Sequence, residues 1–370
     1  MMITDKKPIG LYIHIPFCKS KCPYCDFYSF VPKDNIKERY IESLKRHLNE
    51  SNLLFDTVYF GGGTPSLLGS TALADILNNV NRTNDCEITV ECNPSDVGIE
   101  NSDFSFERLK DAGVNRISMG LQSAVDDERK KLGRISGKNE VLRAIEKSYK
   151  AGIENISLDL MIGIPDQTEE SLLKSIDFCV SSGAKHISSY ILKVEEGTFL
   201  QKHIDRYNLP NEDETANMYL LTTEILESKG FNQYEISNYS LKGFESKHNL
   251  KYWNLKEYLG LGPAAHSYIG GKRFYYSPDI NAFIDGNNPY DDGIGGDEEE
   301  YIMLKLRLKE GIKFQEFEEK YNHKLSNDFF EYGKMLTKTG FAIIDDKHLH
   351  LTPKGFLISN SIICELSERI

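Results

Sequence analysis

The feature that most restricts the fold is a repeated alternation of short apolar runs with amphipathic stretches through the first half of the chain. Strand-like runs begin at Ile9, Asp56, Cys86, Arg116, Ile156 and His186, at intervals of 30 to 47 residues. Between the first two, Ile36, Tyr40, Ile41, Leu44 and Leu48 recur with the period of a helix. Residues 71–80, 106–112, 137–151 and 168–182 also read as helices, the last three followed by Gly113, Gly152 and Gly183, where a glycine commonly closes a helix. Strands alternating with helices at this spacing are βα units around a parallel sheet. Six units are too few for a closed eight-fold barrel. The expectation is therefore an α/β fold with an open, curved (βα)6 sheet, a partial TIM barrel, whose ligand sites lie at the C-terminal ends of the strands.

Beyond Val194 the pattern changes. Asp213 to Ser228 reads as a helix, and Phe231 to Tyr239 alternates like an edge strand. His248 to Tyr268 is rich in aromatics and glycine, and Asn287 to Asp297 reads as a surface linker. Helices then precede Phe341 to Leu351, a hairpin around Asp345-Asp346, giving a C-terminal α+β, winged-helix-like domain. The expected division is 1–236, 237–296 and 297–370. At 370 residues the chain has room for one large core plus an appended domain. A net charge of −12 argues against a nucleic-acid partner, and residues 321–370 balance six Lys/Arg against six Asp/Glu. No apolar run approaches the ~18–20 residues of a membrane span. Seven cysteines without framework spacing, and no apolar leader before the first strand, predict a reducing, cytoplasmic setting.

Chemistry concentrates directly after the first strand. Cys18, Cys22 and Cys25 stand at C-x3-C-x2-C in a loop of Pro, Lys and Ser. Three thiolates can hold three corners of a cubane iron–sulfur cluster and leave the fourth iron open. A structural zinc site would need a fourth ligand, for which His14 is poorly aimed inside its strand. Cys22-Pro23-Tyr24-Cys25 alone is a C-x-x-C redox pair, but that reading explains neither Cys18 nor most of the chain. Buried thiols without chemistry remain the plain alternative, and Cys86, Cys92, Cys179 and Cys364 are read that way.

With an aromatic directly before the third cysteine, the triplet resembles the radical S-adenosylmethionine (SAM) motif. The wider chain resembles the oxygen-independent coproporphyrinogen oxidase-like group, and within it the HemW-type haem chaperones. The resemblance implies a [4Fe-4S] cluster on Cys18, Cys22 and Cys25, with the open iron chelated by SAM, whose reductive cleavage gives a 5'-deoxyadenosyl radical. It implies that Gly62, Gly63 and Thr64, in Gly61-Gly62-Gly63-Thr64-Pro65, approach the amino group of SAM. Glu91, Gln122, Arg134 and Asp159 match positions that contact its ribose and carboxylate, and Tyr12 and Tyr24 match positions that touch it. Glu91 and Asp159 are also acids inside apolar strands, where a charge without a partner is rare. Ser136 stands where many relatives carry His, which weakens any proton-transfer role there and leaves the Arg134 assignment untouched.

His248-Asn249-x-x-Tyr252-Trp253 matches a motif associated with haem binding in the HemW group, and imidazole is a natural axial ligand. His266 is a second candidate for that role. A hydrogen-bonded histidine joining two domains is the competing reading of His248. Two departures separate the chain from authentic oxidases: Phe27 replaces a fourth cysteine, and only 17 residues precede Cys18, where those enzymes carry an extension. The expected function is haem delivery to client haemoproteins. The alternatives are radical decarboxylation of porphyrinogen propionates and thiol redox chemistry. The resemblance also suggests a flavodoxin or ferredoxin as electron donor, and it admits peripheral contact with membrane haemoproteins and a homodimer.

Overall fold

The computed structural model describes residues 7–33, 35–97 and 103–370. Six strands pair in parallel and in sequence order: β1 (Ile9–Ile15), β2 (Phe55–Gly62), β3 (Arg82–Cys92), β4 (Arg116–Gln122), β5 (Asn155–Ile162) and β6 (His186–Ile191). The crossovers carry α1 (Ile36–Glu50), α2 (Gly69–Asn78), α3 (Phe106–Asp111), α4 (Asp126–Lys131), α5 (Lys138–Lys150) and α6 (Glu169–Ser181). Their starts follow local chemistry. The Thr168 hydroxyl, for example, accepts the Ser171 amide of α6 while the Ser171 hydroxyl accepts the Thr168 amide.

Each parallel strand has one apolar and one polar face. Leu11, Ile13, Val58, Phe60, Ile88, Val90, Ile117 and Leu158 are buried in the main core. Each such aliphatic or aromatic side chain contributes roughly 1.5–3 kcal/mol on burial. The opposite face carries Tyr12, His14, Thr57, Tyr59, Glu87, Thr89, Glu91, Arg116, Ser118, Ser157, Asp159, His186 and Ser188. Strands covered by helices on only one side can keep such a polar face, and here it lines the concave interior.

After α7 (Phe199–Lys202) and α8 (Glu212–Ser228), the hairpin β7 (Asn232–Glu235) and β8 (Asn238–Ser240) adds antiparallel to β6. The edge strand expected over Phe231 to Tyr239 is thus this hairpin, with β7 outermost. Helix α9 (Lys247–Trp253) leads into β9 (Tyr258–Leu261), which pairs parallel to β1. The sheet is completed by β10 (His266–Ile269), β11 (Lys272–Tyr275) and, after the helix α10 (Ile280–Ile284), β12 (Tyr290–Ile294), in the order β12-β11-β10-β9-β1-β2-β3-β4-β5-β6-β8-β7. The stretch expected as a surface linker is exposed along β12, but its backbone pairs with β11 and forms the sheet edge.

The C-terminal part comprises α11 (Glu298–Lys305), β13 (Ile312–Lys313), α12 (Phe314–Tyr321), α13 (Asn327–Lys338), β14 (Ala342–Ile344), β15 (His348–Leu351), α14 (Pro353–Leu357) and α15 (Ser359–Ser367). Its three strands form a separate antiparallel sheet, β13-β15-β14, with the expected hairpin at Asp345-Asp346. The hydrophobic core runs without a break from the barrel into this domain. Buried Lys305 of α11 joins the two, donating to Asn254 at the end of α9 and pairing with Glu316. Among the described residues, no helix is long and apolar enough to cross a membrane.

Candidate cofactor site

The cysteine loop is fixed by backbone bonds at both ends. The Cys18 amide donates to Phe30 O at 2.9 Å, and the Phe30 amide to Pro16 O at 2.8 Å. The loop after β2 clamps the same segment, with the Gly63 amide on Ile15 O (2.8 Å) and the Thr64 amide on Phe17 O (2.7 Å). A Cβ on Gly63 would lie 2.7 Å from both of those carbonyls, so this approach requires glycine. Lys19 pairs with Asp96, a buried acid that also accepts the Ser66 hydroxyl at 2.7 Å. Tyr24 packs against Leu132, Met161 and Ile164, a small apolar cluster separate from the main core.

All three loop cysteines are free thiols of intermediate exposure. Of the other four, Cys86, Cys92 and Cys179 are buried as expected, whereas Cys364 is exposed on α15. Burial raises the Cys25 thiol pKa, against a lowering backbone hydrogen bond at Phe27, and the nearby Cys22 and Cys18 add to the rise. Thr64 Oγ1 donates to Cys18 Sγ at 3.6 Å. His14 does not join them as a ligand. Its Nε2 meets Tyr28 O at 2.8 Å and its Nδ1 meets Tyr12 OH at 3.0 Å.

Beside the loop, a cleft is lined by Gly63, Thr64, Glu91, Asn93, Ser118, Gly120, Arg134 and Asp159. Glu91 accepts Tyr59 OH at 2.8 Å and the Gly62 amide at 3.2 Å. Burial, together with the nearby Asp159 charge, pushes its carboxyl up to about 7. Asp159 accepts the Ser118 hydroxyl at 3.3 Å and is pushed up to about 6 by burial. Arg134 donates through Nη2 to Tyr24 OH at 3.0 Å, linking the cleft to the cysteine loop.

The structure therefore brings Gly63, Thr64, Glu91, Arg134 and Asp159 to one cleft, with Gly62 and Tyr24 bonded to its members. Gln122 is not among the lining residues; it ends β4 with φ +67, and a Cβ on the lining residue Gly120 would lie 2.7 Å from its Nε2. Tyr12 lies further along β1, its ring centroid 6.2 Å from Tyr59. Ser136 ties two loops together, its hydroxyl donating to Asn93 Oδ1 at 2.6 Å and accepting the Ser95 amide at 3.2 Å. Ser118, Asn93 and Asp96 were not singled out from the sequence. The signal for Ser118 is its polar alternation within β4, whereas nothing local marks Asp96.

His248 sits elsewhere. Its Nδ1 meets Thr57 Oγ1 at 2.8 Å, its Nε2 meets Tyr252 OH at 2.7 Å, and its ring lies 5.3 Å from Tyr59 at 27°. Glu87 accepts the His248 amide at 3.0 Å and the Lys247 amide at 3.2 Å, seating α9 under the barrel interior. The residue is 1% exposed, and burial lowers its pKa to about 3. Neither ring nitrogen is free for iron in this conformation.

The donor set can be tested against the groups that the cysteine pattern implies. Three free thiols in one clamped loop suit three corners of an iron–sulfur cube. Two half-buried acids held above their usual range suit a cationic partner, which an ammonium and a sulfonium supply, while Arg134 suits a carboxylate. The residues fit a [4Fe-4S] cluster with SAM.

A profile described as the Radical SAM superfamily matches residues 12–179, and one described as the HemN C-terminal domain matches residues 298–358. The fold is that of "Coproporphyrinogen III oxidase (HemN) from Escherichia coli is a Radical SAM enzyme", with a TM-score of 0.81 at 20% identity, covering 99% of this chain and 91% of that one. Fold and site together define a radical SAM protein with a HemN-type C-terminal domain. Over nearly its whole length the chain is similar to proteins named Heme chaperone HemW: 36% identical to that of Bacillus subtilis (95% of this chain, 97% of the relative) and 34% to that of Lactococcus lactis (96% and 97%). The chain belongs to the HemW family of the radical SAM superfamily.

Proposed function

We propose that this chain is a haem chaperone, binding haem as cargo and passing it to client haemoproteins. The observation carrying this reading is the likeness to proteins named Heme chaperone HemW, which spans 95% of this chain and 97% of the relative. Phe27 adds support: it stands where an oxidase would have a fourth cysteine, and it is 62% exposed on the cysteine loop.

In this reading Cys18, Cys22 and Cys25 hold the [4Fe-4S] cluster. Glu91 and Asp159 accept the cationic and hydroxyl groups of SAM, Arg134 takes its carboxylate, and Gly62, Gly63 and Thr64 let its amino end approach the backbone. Tyr12, Tyr24 and Gln122 complete the surroundings. Cluster and SAM together supply one-electron chemistry when bound. The protein's own part is to position them and to keep the two acids from ionising freely until a cation arrives. His248 belongs to this proposal as a haem ligand only in a second conformation, in which α9 gives up the Thr57 or Tyr252 hydrogen bond. A flavodoxin- or ferredoxin-type electron donor, a cytoplasmic setting, peripheral contact with membrane haemoproteins and a homodimer complete the proposal. Free thiols at all seven cysteines are consistent with a reducing compartment.

The test is an anaerobic assay with reconstituted cluster, SAM, a reductant and coproporphyrinogen III, run beside a haem titration. The chaperone reading expects bound haem and no vinyl product. Vinyl product with catalytic turnover establishes the oxidase instead.

A further inference from the structure

Arg116 opens β4 on the face that lines the barrel interior, between Thr89 of β3 and Asn155 of β5, its partners in the parallel register. Two residues further along the same face, Ser118 pairs with Glu91, and two further still Gly120 pairs with Asp159. Two residues of a strand rise about 7 Å, a span that an arginine side chain covers. The guanidinium thus belongs beneath the cofactor cleft. Arg116 is 2% exposed, and its Nε has no hydrogen-bond partner among the described residues. Thr89 Oγ1 beside it has none either. No ion pair among these residues holds Arg116, whereas buried Arg129 pairs with Asp126 and buried Lys305 with Glu316. A buried cation without a close carboxylate is costly to keep. The stabilisation open to it comes from anions further off.

The surroundings decide which anions those are. The Arg116 charge acts on Tyr59, Glu91, Asp159, His186, Tyr234 and His248. Burial holds both tyrosines above and both histidines below their ordinary ranges, so these four are neutral at neutral pH. Tyr12, Cys92, Tyr190 and Tyr252, the other weak acids around Glu91 and Asp159, are kept protonated by burial in the same way. Glu87 is engaged by the amides of Lys247 and His248, and Glu235 by that of Ser237. Arg134, the second cation at the cleft, is tied to Tyr24. Glu91 and Asp159 are left as the groups whose ionisation Arg116 favours, against the burial that opposes it.

We propose that Arg116 is a positioning residue of the cofactor site, a cation beneath the cleft that lets Glu91 and Asp159 meet the cationic groups of SAM as carboxylates. The proposal rests on the assignment of those two acids to SAM and names what sets their charge. The test is anaerobic titration of SAM into the full-length, cluster-loaded protein between about pH 6 and pH 9, the range in which such raised carboxyls ionise. Arg116→Gln should move the rise of affinity with pH upward by about one unit, a modest effect for a nearby charge. Binding should then weaken about tenfold near neutral pH and recover in alkali. Arg116→Lys keeps the charge and should keep the wild-type profile. Thr89→Asp leaves Arg116 in place but gives it a carboxylate in register, and should reproduce the glutamine profile even if Arg116→Gln does not fold. Titration of the SAM amine is common to all four proteins and drops out of the comparison. A profile in Arg116→Gln, or in Thr89→Asp where the former does not fold, that runs parallel to the wild type overturns the inference while the cofactor assignment stands. Tighter SAM binding once the charge is removed or paired, as direct repulsion would give, overturns it too. Wild-type protein that binds no SAM overturns both.

Discussion

Replacing Glu91 with Gln isolates the electrostatic design of the cleft. The partly buried carboxyl is held at about 7 against an ordinary 4.5, so its ionised form is disfavoured in the folded protein. That difference corresponds to roughly 3 kcal/mol of stability. Because the folded-state pKa is raised, this stability is fully present below the ordinary value and is lost as pH rises through about 7. Glutamine removes the ionisation but can no longer accept both the Tyr59 hydroxyl and the Gly62 amide, a loss of about 1 kcal/mol. At pH 8 the variant should therefore be more stable by about 2 kcal/mol, or about 2–3 °C in melting temperature for a chain of this size. At pH 5, where about 1 kcal/mol of that loss has already set in and offsets the missing hydrogen bond, the two should be about equally stable. The assay is an anaerobic thermal melt of cluster-loaded, SAM-free protein at both pH values, paired with SAM titration. The variant should bind SAM more weakly while melting higher at pH 8, a trade of function against stability. A variant that melts lower at both pH values by the same margin would refute the claim that Glu91 is held under strain for a cationic ligand.

Other substitutions probe the loop, its clamp and the barrel floor separately. Substituting alanine for Cys18, Cys22 or Cys25 should each abolish the charge-transfer absorbance near about 400 nm, and a variant that keeps the band is not missing a ligand. Gly63→Ala places a methyl 2.7 Å from two backbone oxygens and should cost about 1–3 kcal/mol by urea denaturation, with loss of cluster retention. His248→Ala leaves Thr57 and Tyr252 without their shared partner inside the barrel floor and should cost about 2–4 kcal/mol. An unchanged denaturation midpoint would remove His248 from that packing role.

The parallel half of the sheet was legible because its signals are local. Strands β1 and β4 begin at Ile9 and Arg116 as expected, and Gly113, with φ +101, closes α3 in the left-handed conformation expected of a glycine at that position. The cleft acids Glu91 and Asp159 were visible as charges in apolar surroundings. Strands β9 to β12 were not, since each has only four or five residues and β12 contains Asp291, Asp292 and Gly293, which signal a turn in isolation. Their pairing is decided by tertiary contact with β1, a relation between residues some 250 positions apart in sequence. The polar interior could have been read from Arg116-Ile117-Ser118 and Ser157-Leu158-Asp159, where polar residues alternate within strands otherwise rich in apolar ones. The burial of His248 could not, because its partners Thr57 and Glu87 lie on other strands and carry no local mark.

The most direct measurement is iron and acid-labile sulfide in anaerobically prepared protein, together with electron paramagnetic resonance of the reduced sample before and after SAM is added. The expected result is about four irons and four sulfides per chain, and a signal that changes when SAM occupies the open iron. Zinc in place of iron, or a full cluster whose signal ignores SAM, would contradict it.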